Sequence, residues 1–311
     1  MNLSKYINFN LNSPYIRCAF HTKKSLPTGI PRKHFPSSFN ERWSKHFNNL
    51  YTVMLEIVGG DGVPLSELKR PSKPSILYVD SLHYKGPGIY LQVEPCAITN
   101  NRDYLLREWY KFTHIITFDA SLLHLPNVIK YTYGTSWILP EDAESIKIED
   151  KKFQLSSLTG SKNWTIGHRF RLNILNRTDI PLPYTFFRSV TPPITSKLSD
   201  KIHLFRDFQF SLVIENSRQE NYFTEKLCDC LYTKTIPVYY GAPNIHEYFD
   251  TTGWIILEND SVDELVEKLK QLDPEWYNRN LDTIEKNYKT VQGVLSFSDN
   301  VNCALDKIDD Y

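Results

Sequence analysis

Two short segments concentrate the groups that could do chemistry. The first is Glu215-Asn-Ser-Arg-Gln-Glu-Asn-Tyr-Phe-Thr-Glu-Lys226. Thr224 is a favoured helix N-cap, which puts Glu225 and Lys226 in the first turn of a helix. A helix N-terminus offers unpaired N–H groups and a positive field, so it favours phosphate. A lysine there runs against the dipole and points to an anionic ligand; a solvated first turn is the competing reading. The second segment is Lys162-Asn-Trp-Thr-Ile-Gly-His-Arg-Phe-Arg171. It follows a predicted strand, Phe153 to Leu158, and opens a helix through Ile174 and Leu175. His168, Arg169 and Arg171 then reach the same sheet edge. Arginine suits a diphosphate because its fork binds two oxygens at once. Surface charge on a helix is again the competing reading, but two basic helix starts in one α/β layer together favour a diphosphate.

Several other chemistries are excluded. The chain has no G-x-S-x-G elbow, Walker A loop, G-x-G-x-x-G turn or H-E-x-x-H pair. No two aspartates stand at i and i+2, so the D-x-D pair that holds a metal-bound nucleotide sugar in many transferases is missing. Five cysteines, Cys18, Cys96, Cys228, Cys230 and Cys303, are too few and too scattered for a disulfide framework. The C-x-C pair lacks zinc-site spacing and reads as helix packing.

The elements needed to position these groups are visible in the pattern. Ser75 to Asp80, Ile89 to Val93 and His114 to Phe118 read as short buried strands, with a helix over Asp103 to Phe112. Tyr133-Gly-Thr-Ser-Trp137 reads as a last strand of this half; Trp137 suits either core packing or stacking on a sugar. Residues 22–40 and 59–75 are turn-rich. The charged stretch 140–152 reads as a linker between a domain at 1–145 and another at 150–311. In the second half, strands are expected at Phe208–Ile214, Thr235–Tyr240 and Trp254–Leu257. Helices are expected from Glu225 to Tyr232, from Ser261 to Lys270 behind an S-x-x-E capping box, and as a pair over 274–293. Such alternation predicts doubly wound parallel sheets, whose ligands bind beyond the carboxyl ends of the strands.

Composition sets the outer bounds. The chain has 311 residues, with Lys+Arg and Asp+Glu both at 36 and a formal net charge of zero. No basic excess points to nucleic acid or to an anionic membrane. No apolar run approaches the ~18 residues of a transmembrane segment. The opening MNLSKYINFNLNSPYIRCAF has no apolar leader core, so a cytoplasmic protein is expected. The sequons at Asn163 and Asn176 then read as chance matches.

Phe210-Ser-Leu-Val-Ile-Glu-Asn-Ser, Tyr222-Phe-Thr-Glu-Lys226 and Thr235-Ile-Pro-Val-Tyr-Tyr-Gly241 together resemble the signature of the α-1,3/1,4-fucosyltransferases, glycosyltransferase family 10. Ile214 stands where that signature has phenylalanine. The resemblance implies a GT-B-like α/β fold, with two Rossmann-like domains facing across a cleft. It implies inverting transfer of a sugar from a nucleotide sugar, first of all GDP-fucose, to a hydroxyl of a glycan acceptor. The C-terminal domain would bind the donor and the N-terminal domain the acceptor. Asn216, Tyr222, Glu225 and Lys226 carry over as donor contacts. Arg171 best matches the phosphate-binding arginine, with Arg169 as second choice and His168 assisting. The general base is matched to Glu94, with Asp119 as the other candidate. No metal or other cofactor is required if Lys226 and Arg171 supply the charge. A same-fold transferase using another GDP- or UDP-sugar, and a nucleotide-sugar or glycan binding protein without turnover, are the alternatives.

Overall fold

The computed structural model describes residues 7–8, 17–19, 55–58, 68, 75–189, 191–194 and 198–309. The turn-rich stretch 22–40, most of 59–75 and most of the N-terminal stretch lie outside the described residues. The chain forms two compact units. One comprises Met1–Thr117, Ser121–Tyr131 and Phe297–Tyr311; the other comprises Phe118–Ala120 and Thr132–Ser296.

The first unit is built on a sheet of β1 (Ile7–Asn8), β2 (Arg17–Ala19), β3 (Leu55–Val58), β4 (Ser75–Val79), β5 (Gly88–Leu91), β6 (His114–Thr117) and β7 (Val128–Lys130). These strands lie side by side in chain order. The pairs β1–β2 and β2–β3 are antiparallel; from β3 to β7 the sheet is parallel. Helices α1 (Cys96–Thr99) and α2 (Arg102–Glu108) link β5 to β6. Tyr78, Tyr90, Leu105, Phe112, Ile115 and Leu122 form the core. The strand expected over Ile89–Val93 stops at Leu91. The N–H groups of Val93 and Glu94 turn instead to the Asp80 carboxylate, at 3.0 and 2.8 Å.

The second unit begins earlier than the charged stretch suggested. That stretch is not a linker between units: it folds as α3 (Pro140–Glu144) and a 3₁₀ turn, and leads into β8 (Lys152–Thr159). Pro140 opens α3, and Glu141 and Asp142 fill its first turn, where proline and acidic residues are favoured. Tyr133–Trp137 is not a strand but an irregular segment. Trp137 is 40% exposed rather than packed in the core, with the Lys201 ammonium 5.1 Å from its ring centre.

After β8 come α4 (Ile166–Ile174), β9 (Tyr184–Arg188), β10 (Phe208–Ile214), α5 (Glu225–Tyr232), β11 (Ile236–Tyr240), β12 (Ile255–Ile256), α6 (Val262–Leu269), α7 (Trp276–Arg279) and α8 (Leu281–Gln292). Helix α9 (Phe297–Asp309) returns to the first unit, which further shifts the expected 1–145 and 150–311 division. All seven residues of β10 and all five of β11 are buried, as fits continuous apolar runs in central parallel strands. The sheet order is β12-β11-β10-β8-β9, and all its pairs are parallel.

Only half of the capping box expected at Ser261 forms. Ser261 Oγ accepts the Glu264 N–H at 3.3 Å. The Glu264 carboxylate accepts instead from the N–H groups of Glu258 and Asn259, tying down the exit of β12. Among the described residues, no helix is long and apolar enough to cross a membrane.

Candidate functional site

The second sheet reverses its strand order between β8 and β10: the chain runs outward from β8 to β9, and the other way from β10 to β11 and β12. In open parallel sheets such a reversal opens a crevice at the carboxyl ends of its two strands, and ligands bind there. The turns that leave β8 and β10 are the two segments rich in chemistry.

The β8 turn leads into α4 through a tight cap. Thr165 Oγ1 accepts the His168 N–H at 3.2 Å and lies 2.8 Å from His168 Nδ1; that nitrogen in turn accepts the Thr165 N–H at 3.3 Å. Histidine thus takes the place that Glu or Gln usually holds in a capping box. Burial pushes the His168 pKa down to about 4, helped by the charges of Arg171, Lys162, Lys226 and Arg169. The ring is neutral at pH 7, as its accepting Nδ1 requires. His168 is therefore a capping group beside a cationic cluster and adds no charge to it. Arg169 is exposed, and its guanidinium donates to the carbonyls of Asn163 and Trp164 at 3.4 and 3.2 Å.

Helix α4 is pressed against the exit of β10. The Gly167 N–H donates to the Asn216 carbonyl at 3.3 Å, and a Cβ at Gly167 would overlap the Glu215 carbonyl oxygen. Two turns of contact are completed by Arg171, whose guanidinium donates to the Ile214 carbonyl and, at 3.0 Å, to Asn216 Oδ1. Arg171 and Asn216 are thus brought together as a braced pair.

Glu225 and Lys226 stand in the first turn of α5, capped by Thr224. Lys226 Nζ donates to Glu225 Oε1 at 2.9 Å and to Thr224 Oγ1 at 3.0 Å, and lies 3.8 Å from Glu215 Oε2. Glu215 is fully buried and accepts from both the N–H and the hydroxyl of Thr224, each at 2.8 Å. Burial holds its carboxyl above the usual range, against the pull of Lys226. For Glu225, burial is outweighed by Lys226 and the carboxyl is held below its usual range. Burial is likewise outweighed at Lys226, which its two carboxylate partners hold above the usual ammonium value. The lysine that ran against the helix dipole is therefore already compensated inside the protein. Two carboxylates balance Lys226 and Arg171, so an arriving anion must compete with Glu225.

Tyr222 is 1% exposed, and its ring packs 5.3 Å from that of Phe118. It supports the turn from within. Glu94 stands just past β5 in the first unit, half-buried, its N–H fixed by Asp80. Asp119 is buried at 1% exposure.

Sequence reasoning missed three supports. Asp80 anchors the Glu94 turn, and burial raises its carboxyl pKa to about 7. The signal available was an aspartate ending a strand. Glu215 is the floor of the Lys226 cluster. Gly241 must lack a side chain, because a Cβ would overlap the Tyr239 hydroxyl and come within 2.8 Å of Glu215 Cγ. Thr159 Oγ1, Ser217 Oγ and Gln219 Nε2, at the exits of β8 and β10, are buried without a hydrogen-bond partner. Buried polar groups are rarely left so, and a ligand or water that reached these exits would satisfy them.

Comparison with known proteins bears on the family and the fold. Residues 186–296 match the C-terminal region of glycosyltransferase family 10 (fucosyltransferase). The chain is 24% identical over 231 residues to the alpha-(1,3)-fucosyltransferase FucT of Helicobacter pylori, covering 73% of this chain and 43% of that protein. It is 36% identical over 76 residues to GDP-fucose protein O-fucosyltransferase 3 of Danio rerio, covering 24% of this chain and 17% of that protein. The chain thus spans less than half the length of either relative. A crystal structure of an alpha1,3-fucosyltransferase with GDP shares the fold, with a TM-score of 0.52, 15% identity, and 93% of this chain and 94% of that chain covered. The fold is that of GT-B-like proteins, with two sheet-based α/β units, and at the level of the family the chain resembles the glycosyltransferase family 10 fucosyltransferases.

Proposed function

We propose that the chain is a nucleotide-sugar-dependent glycosyltransferase. The observation that carries this reading is the convergence of Arg171–Asn216 and Lys226–Glu225 at the exits of β8 and β10. GDP-fucose is the first donor to test, because the motif resemblance and the fucosyltransferase relatives favour it. Another GDP- or UDP-sugar is the second, since Ile214 departs from the family's signature.

The charge balance suggests how the donor would be held. A diphosphate would take Lys226 from Glu225, and Arg171 would add a second cation. The released Glu225 carboxylate would accept hydrogen bonds from hydroxyls of the donor. As the sugar leaves, charge builds on the diphosphate, and cations already in position stabilise it without reorganisation. In an inverting transfer, a base takes the proton of the acceptor hydroxyl while that oxygen attacks the anomeric carbon from the face opposite the diphosphate. We assign the base to Glu94, in the first unit, by the resemblance and by its place on a fixed strand-end turn. A glycan hydroxyl is the proposed acceptor.

Calorimetric titration with GDP-fucose, GDP, GDP-mannose, UDP-galactose and UDP-glucose tests the reading. Binding of GDP-fucose and GDP, lost in Lys226→Ala, is the expected outcome. Preference for a UDP-sugar would replace the donor and keep the site. No binding of any nucleotide sugar would overturn the proposal. Glu94→Gln is expected to bind donor and lose turnover; a wild type that binds donor but never transfers it, across an acceptor screen, would instead mark a binding protein.

A further inference from the structure

Trp164 is the most exposed large hydrophobic residue among those described, at 66%, and Ile166, two residues on, is 46% exposed. They flank Thr165, the cap of α4. Isolated exposed apolar residues are ordinary. This indole differs because its backbone is held. The Arg169 guanidinium binds the carbonyls of Asn163 and Trp164, and the next residue is locked in the Thr165–His168 cap. The ring itself meets His168 edge to face, with centroids 6.3 Å apart, and Lys162 Nζ lies 5.1 Å from its centre. A rigid loop therefore presents a large aromatic face to solvent beside a basic cluster.

We propose that Trp164 is the platform on which the sugar ring of a nucleoside-diphospho-sugar stacks; this rests on the donor site described above. Three considerations select that occupant. His168 and Arg171 lie three residues apart on α4, hence on one face of the helix. The indole meets His168, and His168 lies within electrostatic reach of Arg171 and Lys226, so the ring borders the cations that would hold a phosphate. The sugar is joined directly to the β-phosphate, whereas the base is separated from that phosphate by the α-phosphate and the ribose. The C–H face of a pyranose, polarised by its oxygens, also complements the negative face of an indole. Lys162, over the same ring, can reach the diphosphate or a ring hydroxyl.

The test compares a nucleotide sugar with its bare nucleotide in the wild type, Trp164→Ala and Trp164→Phe, using GDP-fucose against GDP and UDP-galactose against UDP. For the pair that binds, Trp164→Ala is expected to weaken the nucleotide sugar about tenfold and the bare nucleotide less than twofold. Trp164→Phe is expected to keep most of the affinity. In the wild type, indole emission should respond to the nucleotide sugar beyond its response to the nucleotide, and that difference should vanish in Trp164→Phe. Equal weakening of nucleotide and nucleotide sugar would overturn the proposal and make the ring a support for the loop. Unchanged affinities, or an effect confined to the KM of the acceptor, would overturn it while leaving the donor site intact. A wild type that binds none of these compounds would overturn the donor site and this proposal together.

Discussion

Lys226 is where the charge balance of the site turns. It faces Glu225 directly and Glu215 at 3.8 Å, and Glu215 has no access to water. Removing the ammonium would leave two neighbouring carboxylates with Arg171 as the main remaining cation. Lys226→Met is therefore expected to weaken nucleoside-diphosphate binding by about 10- to 100-fold, the worth of one or two charge-assisted hydrogen bonds. It should also lower the melting temperature. Lys226→Arg should recover part of both. Unchanged diphosphate affinity in Lys226→Met, read by calorimetry, would remove Lys226 from the site. The residue types at this position were legible from the spacing of Thr224, Glu225 and Lys226. The compensation was not, because Glu215 reaches Lys226 only once β10 and α5 are set side by side. His168 shows the same limit: a histidine just before two arginines reads as an assisting ligand, yet its Nδ1 is spent on the Thr165 cap. Asp80 belongs to this scale too. Its carboxylate accepts the N–H groups of Val93 and Glu94 and lies in electrostatic reach of the Glu94 side chain. Asp80→Ala should thus disturb the turn that carries Glu94 and lower kcat with donor affinity unchanged. An unaltered kcat would separate Asp80 from the chemistry.

At the scale of elements, the site depends on how closely α4 and α5 approach the exit of β10. For α4 the limiting residue is Gly167, whose missing side chain leaves room for the Glu215 carbonyl. Gly167→Ala is expected to push the first turn of α4 away and loosen the Arg171–Asn216 brace. Gly160 is the control, because a Cβ there meets only Ser189 Cβ, at an ordinary 3.8 Å. A drop in melting temperature and nucleotide affinity for Gly167→Ala but not Gly160→Ala is the outcome expected; equal effects would refute the close-approach account. For α5, Asp229 is the point of attachment. Its Oδ1 accepts from the Ser136 hydroxyl at 2.7 Å and the Trp137 N–H at 2.8 Å. Burial raises its pKa to about 7, against 3.8 for an exposed group. Between these values the folded chain holds a proton that the unfolded chain has lost, so this group's contribution falls as pH rises. Asn keeps both acceptor contacts and removes the buried charge. Asp229→Asn should stabilise the protein more at pH 8 than at pH 5, by a difference on the order of 1–3 kcal/mol, because most of the window between 3.8 and about 7 lies above pH 5. A loss of stability at pH 8 would show that the charge itself is needed. The helices and central strands of this half were readable because each carries a full period of apolar residues. Edge strand β9 was not: it is half-exposed and pairs only with β8, so its alternation is weak.

At the scale of the whole molecule, the readable part is the second sheet. Its alternating strands and helices announce a parallel sheet, and the strand reversal at β8 and β10 then marks where a candidate site is expected. The division into units was less readable, because composition marks exposed charge as readily as it marks a linker. Residues 140–150 are charged because α3 and its following turn are surface elements, not because two units part there. Lys151 is buried, its ammonium donating to the carbonyls of Phe205 and Phe208. The last helix lies beyond the pair expected over 274–293, although its own apolar spacing is helical. Helix α9 buries Phe297, Val301, Ala304 and Leu305, a helical stripe at intervals of four, three and one. That stripe packs on β6 and β7 in the first unit, though the chain reaches it directly from the second. Burial of its three large side chains is worth roughly 1.5–3 kcal/mol each, comparable to the ~5–15 kcal/mol that stabilises a typical domain. Truncation after Ser296 is therefore expected to strip amide-exchange protection from β4 to β7 while β8, β10 and β11 keep theirs. Nucleotide binding, which the proposed function assigns to the second unit, should survive the truncation within a few-fold. Equal loss of protection in both sheets would mean that α9 stabilises the chain as one cooperative whole, and the two-unit description would have to be abandoned.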